Sequence, residues 1–278
     1  MPRPLFIVGN KRSGTSQLVR VLNLHPDIFV AHESDIAWIL YQFHHDQPFV
    51  THRWDSDRGM QVTLAAASHR LDRAATPWEN FVNVQRAVME QGTPWLPAQQ
   101  KPYLRWIGDK KPMQHTDPEL LKFLLAHLPE ARFLHIVRHP FEVVTSSDRF
   151  NQTADGDFWQ GLTPEEKLER WTFHEKQVWQ LRQDFPERVH SLRFEDFCRN
   201  TKKELANIFK FLDLKPDGRL LREADRQTRP LFRPIPMMAS SPETLRIAAG
   251  YGYDLQRTDD PLRRWLQKIY WRIKKSGH

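Results

Sequence analysis

Between Leu5 and Leu24 the chain passes from an apolar run, through a loop bounded by glycines, into a helical pattern, and few folds accommodate that order. Leu5-Phe6-Ile7-Val8 are consecutive apolar residues of high β propensity, the pattern of a strand buried on both faces. Gly9-Asn10-Lys11-Arg12-Ser13-Gly14-Thr15-Ser16 follows, and Leu18, Val19 and Leu22 then recur at helical spacing. Gly9 and Gly14 with the hydroxyl pair Thr15-Ser16 after them are the frame of a P-loop, which holds an anion on backbone N–H groups and a helix N-terminus. In a nucleoside triphosphatase the residue after the second glycine is Lys, which reaches the β and γ phosphates, and here it is Thr15. The cations lie inside the loop instead, as Lys11 and Arg12. The loop therefore suits an anion that is bound and neutralised, and not a Mg-triphosphate.

Two further segments belong with this loop. Ile28-Phe29-Val30-Ala31 reads as a second strand leading into His32-Glu33-Ser34-Asp35. In open α/β sheets the carboxyl ends of strands are where ligands bind, so Glu33 should face the same crevice as the loop. It is the candidate general base, with His32 as the alternative. Ser34 or Asp35 can also cap a helix starting near Ile36. Farther on, Arg132-Phe133-Leu134-His135-Ile136-Val137-Arg138 reads as a buried strand that delivers Arg138 at its end; Pro140 then starts a helix with Ser146 about two turns in. A forked guanidinium and a hydroxyl at that spacing can grip one phosphate. A Walker B strand would end in Asp to hold Mg²⁺, and this one ends in Arg.

The Lys-Arg-Ser-Gly-Thr-Ser run resembles the 5′-phosphosulfate loop of sulfotransferases that use 3′-phosphoadenosine 5′-phosphosulfate (PAPS), and Arg138 to Ser146 resembles their 3′-phosphate segment. The motifs are most similar to the tyrosylprotein and bacterial types, in which a catalytic glutamate follows the second strand at the place of Glu33. Trp106-Ile107-Gly108-Asp109-Lys110-Lys111-Pro112 resembles the family's Lys-Pro element, whose first lysine, matched by Lys110, approaches the sulfuryl group. Lys111 stands where the family has a small or acidic residue, which leaves open which lysine points inward. Phe194-Glu195-Asp196-Phe197 resembles the element after the last parallel strand and makes Phe194 a nucleotide contact, without the family's Tyr hydroxyl. The resemblance implies an α/β, P-loop-type three-layer fold with a short parallel sheet flanked by helices. It implies transfer of a sulfuryl group from PAPS to a carbohydrate, phenol, lipid or tyrosine hydroxyl, leaving 3′-phosphoadenosine 5′-phosphate (PAP). Glu33, Arg12 and Lys110 would be catalytic. Lys11, Arg12, Ser13, Gly14, Thr15, Ser16, Arg138, Ser146 and Phe194 would bind the cofactor, with no metal required; Arg229, Arg233, Ser240 and Ser241 are further candidates, and no spacing selects among them. The competing readings are a P-loop kinase or NTPase with a degenerate loop, and a non-catalytic nucleotide-binding protein of the same fold.

The remaining chain supplies context. No composition shift divides the 278 residues, so a single domain spanning 1–278 is expected. Helices are expected over Ile36 to Phe43, Val62 to Ala75, Trp78 to Gln91, the stretch opened by Asp117-Pro118, Thr163 to Asp184 with a capping box, and Thr201 to Leu212. The helices before residue 106 should build an acceptor pocket, and Gly92 to Pro102 is a loop that borders it. His44, His45, His52, Asp46, Asp55 and Asp57 lack the spacing of a known metal site. A net charge of +7 favours anionic ligands, yet no nucleic-acid module is recognisable. No apolar stretch approaches the roughly 20 residues of a membrane span. The basic amphipathic pattern over Leu262 to Lys275 could touch an anionic membrane, but packing on its own domain is the favoured reading. With strand one starting by Leu5 and Cys198 the single cysteine, a cytoplasmic setting is expected; the pattern does not set the oligomeric state.

Overall fold

The computed structural model describes residues 1–53, 58–153, 159–228 and 237–256. Strands β1 (Arg3–Val8), β2 (Ile28–His32), β3 (Trp106–Lys110), β4 (Arg132–Val137) and β5 (Val189–Arg193) form one sheet in the order β2-β3-β1-β4-β5. Every neighbouring pair is parallel. Parallel neighbours cannot be joined by hairpins, so helices carry the crossovers and cover the sheet. The unbroken apolar run of β1 follows from this. Leu5 and Ile7 pack with Leu18 and Leu22 of α1 (Thr15–Leu22) and with Leu205 and Phe209 of α9 (Thr201–Phe211). Phe6 and Val8 enter the opposite core with α2 (Ile36–His44), α4 (Pro77–Gln91) and α5 (Pro118–His127).

β3 is the strand that the residue pattern hides, because Gly108-Asp109-Lys110 has poor β propensity. It lies between β1 and β2, and it fits there because Gly108 has no side chain: a Cβ on it would lie 1.7 Å from the Leu5 carbonyl oxygen. The second difference concerns the helix expected over Val62 to Ala75. The observed α3 is Arg58–Ala67, followed by a short 3-10 turn at Ser68–Arg70. The Asn80 side chain binds the Asp72 backbone through both its oxygen and its nitrogen at 2.8 Å, and Thr76 with Glu79 forms the capping box that starts α4. These side-chain bonds offer residues 71–76 a better partner than a continued helix.

The chain divides into two compact units, one of Met1–Arg138 with Phe173–Leu231 and one of His139–Thr172 with Phe232–His278. The sheet and both cores belong to the first. The second contains α6 (Pro140–Asn151), the first half of α7 (Pro164–Asp184) and α11 (Pro242–Gly250). Within it, Thr163 and Glu166 form the expected capping box, the Thr172 and Thr244 hydroxyls are 2.8 Å apart, and the His139 ring meets Tyr253 edge-on. Ser241 caps α11, accepting from the Thr244 N–H, and Ser240 donates to the Met238 carbonyl. Arg229, Arg233, Asp55, Asp57 and the pattern over Leu262 to Lys275 lie outside the described residues.

Candidate active site

The glycine-bounded loop joins β1 to α1 and turns on backbone conformations that its residues permit. Gly9 has φ 149° and Gly14 φ 95°, and both are crowded. A Cβ on Gly9 would sit 2.5 Å from the Ile136 carbonyl oxygen, and one on Gly14 would strike the Phe194 ring at 2.3 Å. Arg12, at φ 70°, takes the left-handed conformation without being glycine, an uncommon position for a long side chain. Helix α1 has no side-chain cap and no acidic residue in its first turn, so its positive end stays open to an anion. Ser13 Oγ is buried and meets no hydrogen-bond partner among the described residues. An orphaned hydroxyl inside the loop, with Lys11 beside it and Arg12 exposed, fits a bound phosphate group.

A buried polar layer holds the loop from beneath. Asn10 donates to Glu175 of α7 at 2.8 Å, and the second Glu175 oxygen is 3.0 Å from Nε2 of His135 in β4. His135 Nδ1 is 3.1 Å from the Ser191 hydroxyl in β5. Burial alone would raise the Glu175 carboxyl, but His135, with His174 and Asn10, holds it below its ordinary value. Next to it His174 meets the Thr116 hydroxyl at 2.8 Å, and burial lowers its pKa to about 4. Sequence reading missed Glu175 because a Glu inside a long amphipathic helix looks like any solvated one.

Arg138, at the end of β4, is buried against the loop. Its guanidinium donates to the Arg12 carbonyl at 3.0 Å and lies 4.7 Å from the centre of the Phe194 ring. Phe194, at the start of α8 (Phe194–Arg199), in turn covers Gly14. The structure thus brings Arg138, Phe194 and the loop together. Ser146 is buried in α6, in the second unit.

Beyond β2 the chain turns sharply, with Glu33 at φ 57° and Asp35 at φ 56°. The Glu33 N–H donates to the Lys110 carbonyl at 2.8 Å, which ties this turn to the end of β3. Lys110 Nζ donates to Glu33 Oε1 at 2.6 Å and to the Ser16 hydroxyl at 3.3 Å, while His32 Nε2 is 2.9 Å from the same hydroxyl. One hydrogen-bonded chain therefore runs from the first turn of α1 to the Glu33 carboxylate. Burial would raise the Glu33 pKa, yet Lys110, with Lys111 and His32 adding, drives it well below the ordinary carboxylate range. Burial lowers the Lys110 ammonium despite Glu33, and burial together with Lys110 lowers His32 to about 4. Lys111 points elsewhere: it donates to Asp35 at 2.7 Å, and Gln114 reaches the other Asp35 oxygen at 2.6 Å. Asp35 occupies the N-cap position of α2 without capping it; Ser34 Oγ accepts from the Ile36 N–H at 3.4 Å. Gly59 of α3 presses on this turn, since a Cβ there would lie 2.2 Å from the Glu33 carbonyl oxygen. Nothing in the residue pattern around Gly59 announces that contact.

Among the described residues no group of His, Cys, Asp and Glu is arranged to hold a metal ion. None of the described helices is long and apolar enough to cross a membrane.

A sequence model described as "Sulfotransferase family" matches residues 4–217. Among solved structures, the sulfotransferase domain from the curacin biosynthetic pathway is similar with a TM-score of 0.59 at 19% identity, covering 91% of this chain and 99% of that one. The sulfotransferase domain from the Synechococcus PCC 7002 olefin synthase gives 0.59 at 22% identity, over 91% and 96% of the two chains. A sulfotransferase from Alicyclobacillus acidocaldarius gives 0.53 at 20% identity, over 92% and 100%. At these identities the structures speak to the fold. No curated protein sequence matches the chain.

Proposed function

The chain belongs to the sulfotransferase family, and on that premise we propose that it moves a sulfuryl group from PAPS to an acceptor hydroxyl with Glu33 as general base. The observation that carries this reading is the link from the α1 terminus through Ser16 and Lys110 to Glu33, which connects an anion loop to an ionised carboxylate. PAPS supplies a sulfur already activated by a phosphate leaving group. The chain's own residues then have three tasks. Ser13, Gly14, Thr15 and Ser16, with the positive end of α1, hold the 5′-phosphate, and Lys11 and Arg12 neutralise it. Arg138 takes the 3′-phosphate with Phe194 beside the base; Ser146 is assigned to the same phosphate on its spacing from Arg138 in the sequence. Lys110 serves the third task, which is to couple the cofactor side to the base.

With Lys110 on Glu33, the carboxylate is ionised but weakly basic. When Lys110 turns its Nζ toward a sulfuryl oxygen, Glu33 loses its main stabilising charge while its burial remains, and its affinity for a proton rises. The base thus gains strength at the moment an acceptor hydroxyl must lose its proton. Side-chain cations fill the place that Mg²⁺ holds in phosphoryl transfer, so the reaction is proposed to need no metal. A cytoplasmic setting is proposed from the single, free Cys198.

The test is radiolabelled PAPS incubated with pools of carbohydrate, phenol, lipid and peptide acceptors, alongside calorimetry with PAP. Labelled product from one pool and saturable PAP binding are the expected results. Absence of PAP binding, or ATP turnover with Mg²⁺ in its place, would overturn the reading.

A further inference from the structure

We propose that His32 is a positioning residue: its Nε2–H donates to the Ser16 hydroxyl and so turns the Ser16 proton toward the anion bound at the start of α1. The inference rests on the sulfotransferase reading and adds to it a residue that prepares the cofactor side. Strand register brings the groups together. His32 pairs with Lys110 across β2 and β3, and paired residues of neighbouring strands point to the same face of the sheet. On that face Ile28 and Val30 precede His32, Trp106 precedes Lys110, and all three pack in one core with Leu18 and Leu22 of α1. Both polar side chains therefore arrive at the first turn of α1, where Lys110 Nζ is 3.3 Å and His32 Nε2 2.9 Å from Ser16 Oγ. Trp95 stacks on the imidazole, ring centres 6.2 Å apart and planes 27° from parallel. The loop that carries Trp95 is tied by the Thr93 hydroxyl, which accepts from the N–H groups of Trp95 and Leu96 at 3.3 and 3.1 Å.

Counting protons decides the direction of the bond. A serine hydroxyl has one proton to give and two lone pairs that accept, and an ammonium only donates, so Lys110 occupies one lone pair of Ser16. Burial, with Lys110 adding, lowers the His32 pKa to about 4, so near pH 7 the ring is neutral and carries its proton on one nitrogen. If that nitrogen were Nδ1, Nε2 would take the Ser16 proton and a buried N–H would stand at Nδ1, which meets no hydrogen-bond partner among the described residues. A contact with the ring's own carbonyl is the weakest of the influences on it. A proton on Nε2 leaves only a bare lone pair at Nδ1, a lesser cost than an orphaned donor. Ser16 then accepts from both His32 and Lys110 and keeps its proton for a third group, an acceptor, which a 5′-phosphate oxygen supplies. When Lys110 turns toward the sulfuryl group, His32 still holds the hydroxyl in place.

Calorimetry with PAP on the full chain reads the effect without turnover, which separates this role from that of a base. His32→Met keeps an apolar body against Trp95 and removes the donor. It should weaken PAP binding about tenfold or more, the scale of one hydrogen bond to a charged group. In a Ser16→Ala background the same substitution should change nothing further, because the group it acts through is gone. Nitrogen-15 NMR of the histidine-labelled wild type, at neutral pH and with PAP bound, should show the His32 ring protonated at Nε2 and bare at Nδ1. Urea unfolding identifies a variant that has lost its fold, and the wild-type spectrum then carries the test. Unchanged PAP affinity in His32→Met, an equal loss with and without the Ser16 hydroxyl, or a neutral ring protonated at Nδ1 would overturn the assignment. If PAP did not bind the wild-type chain, the sulfotransferase reading would fail first, and that outcome is separable because the wild type is titrated before any variant.

Discussion

Two lysines stand next to each other at the end of β3, and two carboxylates stand two residues apart after β2, yet the pairs they form differ in kind. Lys110 and Glu33 meet at 2.6 Å with Lys110 fully buried and the Glu33 side chain 34% exposed. Lys111 and Asp35 meet at 2.7 Å with both side chains 2% exposed. Lys110 has a second partner on the loop side, Ser16, whereas Asp35 has a second partner in Gln114, on the chain that continues from the lysines. The chemistry of the two pairs is the same; access separates them. A carboxylate that solvent and ligand can reach is able to exchange a proton, and one sealed with its cation can only hold two segments together.

Substitution of each carboxylate should give opposite signatures. Glu33→Gln keeps the shape and leaves the buried Lys110 an amide oxygen to donate to in place of the carboxylate. Loss of a general base lowers turnover by about a hundredfold to ten-thousandfold, with PAP affinity from calorimetry little changed. An unchanged rate on the true acceptor would move the base to His32 and dissolve the contrast. Asp35→Ala, by contrast, leaves the Lys111 ammonium buried without its carboxylate, at about 3–5 kcal/mol of stability. Urea unfolding reads that loss, and replacing both residues with apolar ones of similar volume, as in Asp35→Leu with Lys111→Met, should recover most of it. If the single variant were as stable as wild type, the second pair would not be the strut that its burial implies.

A third cation sharpens the comparison from outside both pairs. Arg138 meets the loop through the Arg12 carbonyl and lies over the Phe194 ring, next to the glycine-bounded turn proposed to take a phosphate. Arg138→Ala should weaken PAP binding by about 1.5–3 kcal/mol, the size of a hydrogen bond to a charged group. The same substitution should leave the Glu33 carboxyl and its titration alone. Weakened PAP binding from Asp35→Ala of equal size, at matched folding, would show that the loop and the strut are not separate.

What was legible in the residues follows from the same distinction. β1, β2 and β4 announce themselves because burial on both faces demands apolar runs, and the loop announces itself because only glycine tolerates the crowding at Gly9 and Gly14. Which of Lys110 and Lys111 points inward is not legible in sequence, since they are consecutive lysines and their separation depends on alternation at the end of β3. That strand was hidden by Gly108-Asp109-Lys110, polar residues that can be buried only because Glu33, His115 and Ser34 from other segments partner them. Glu175 and His135 were hidden for the same reason: a buried polar contact has no local pattern when its members lie 40 residues apart. Sequence spacing reports contacts made along one element and is silent on those made across the sheet.

The smallest effect tests the coupling itself, through pH. Lys110 holds the Glu33 pKa below the ordinary value of 4.5, so the folded carboxylate is ionised throughout the neutral and mildly acidic range. The sign follows from linkage: a depressed carboxyl contributes stability above its unfolded pKa, and that contribution is lost as pH falls from there toward the folded value. The acid limb of kcat/KM, which reports the free enzyme, should therefore lie below the ordinary carboxylate range. In Lys110→Met the largest stabilising charge is gone and burial remains, so the Glu33 carboxyl should titrate at higher pH than in the wild type. A carbon-13 titration of the Glu33 side chain in both proteins reads the two values directly, without requiring turnover from a variant that has lost Lys110. If the two titrations coincide, Lys110 does not govern the base, and the first pair is a strut like the second.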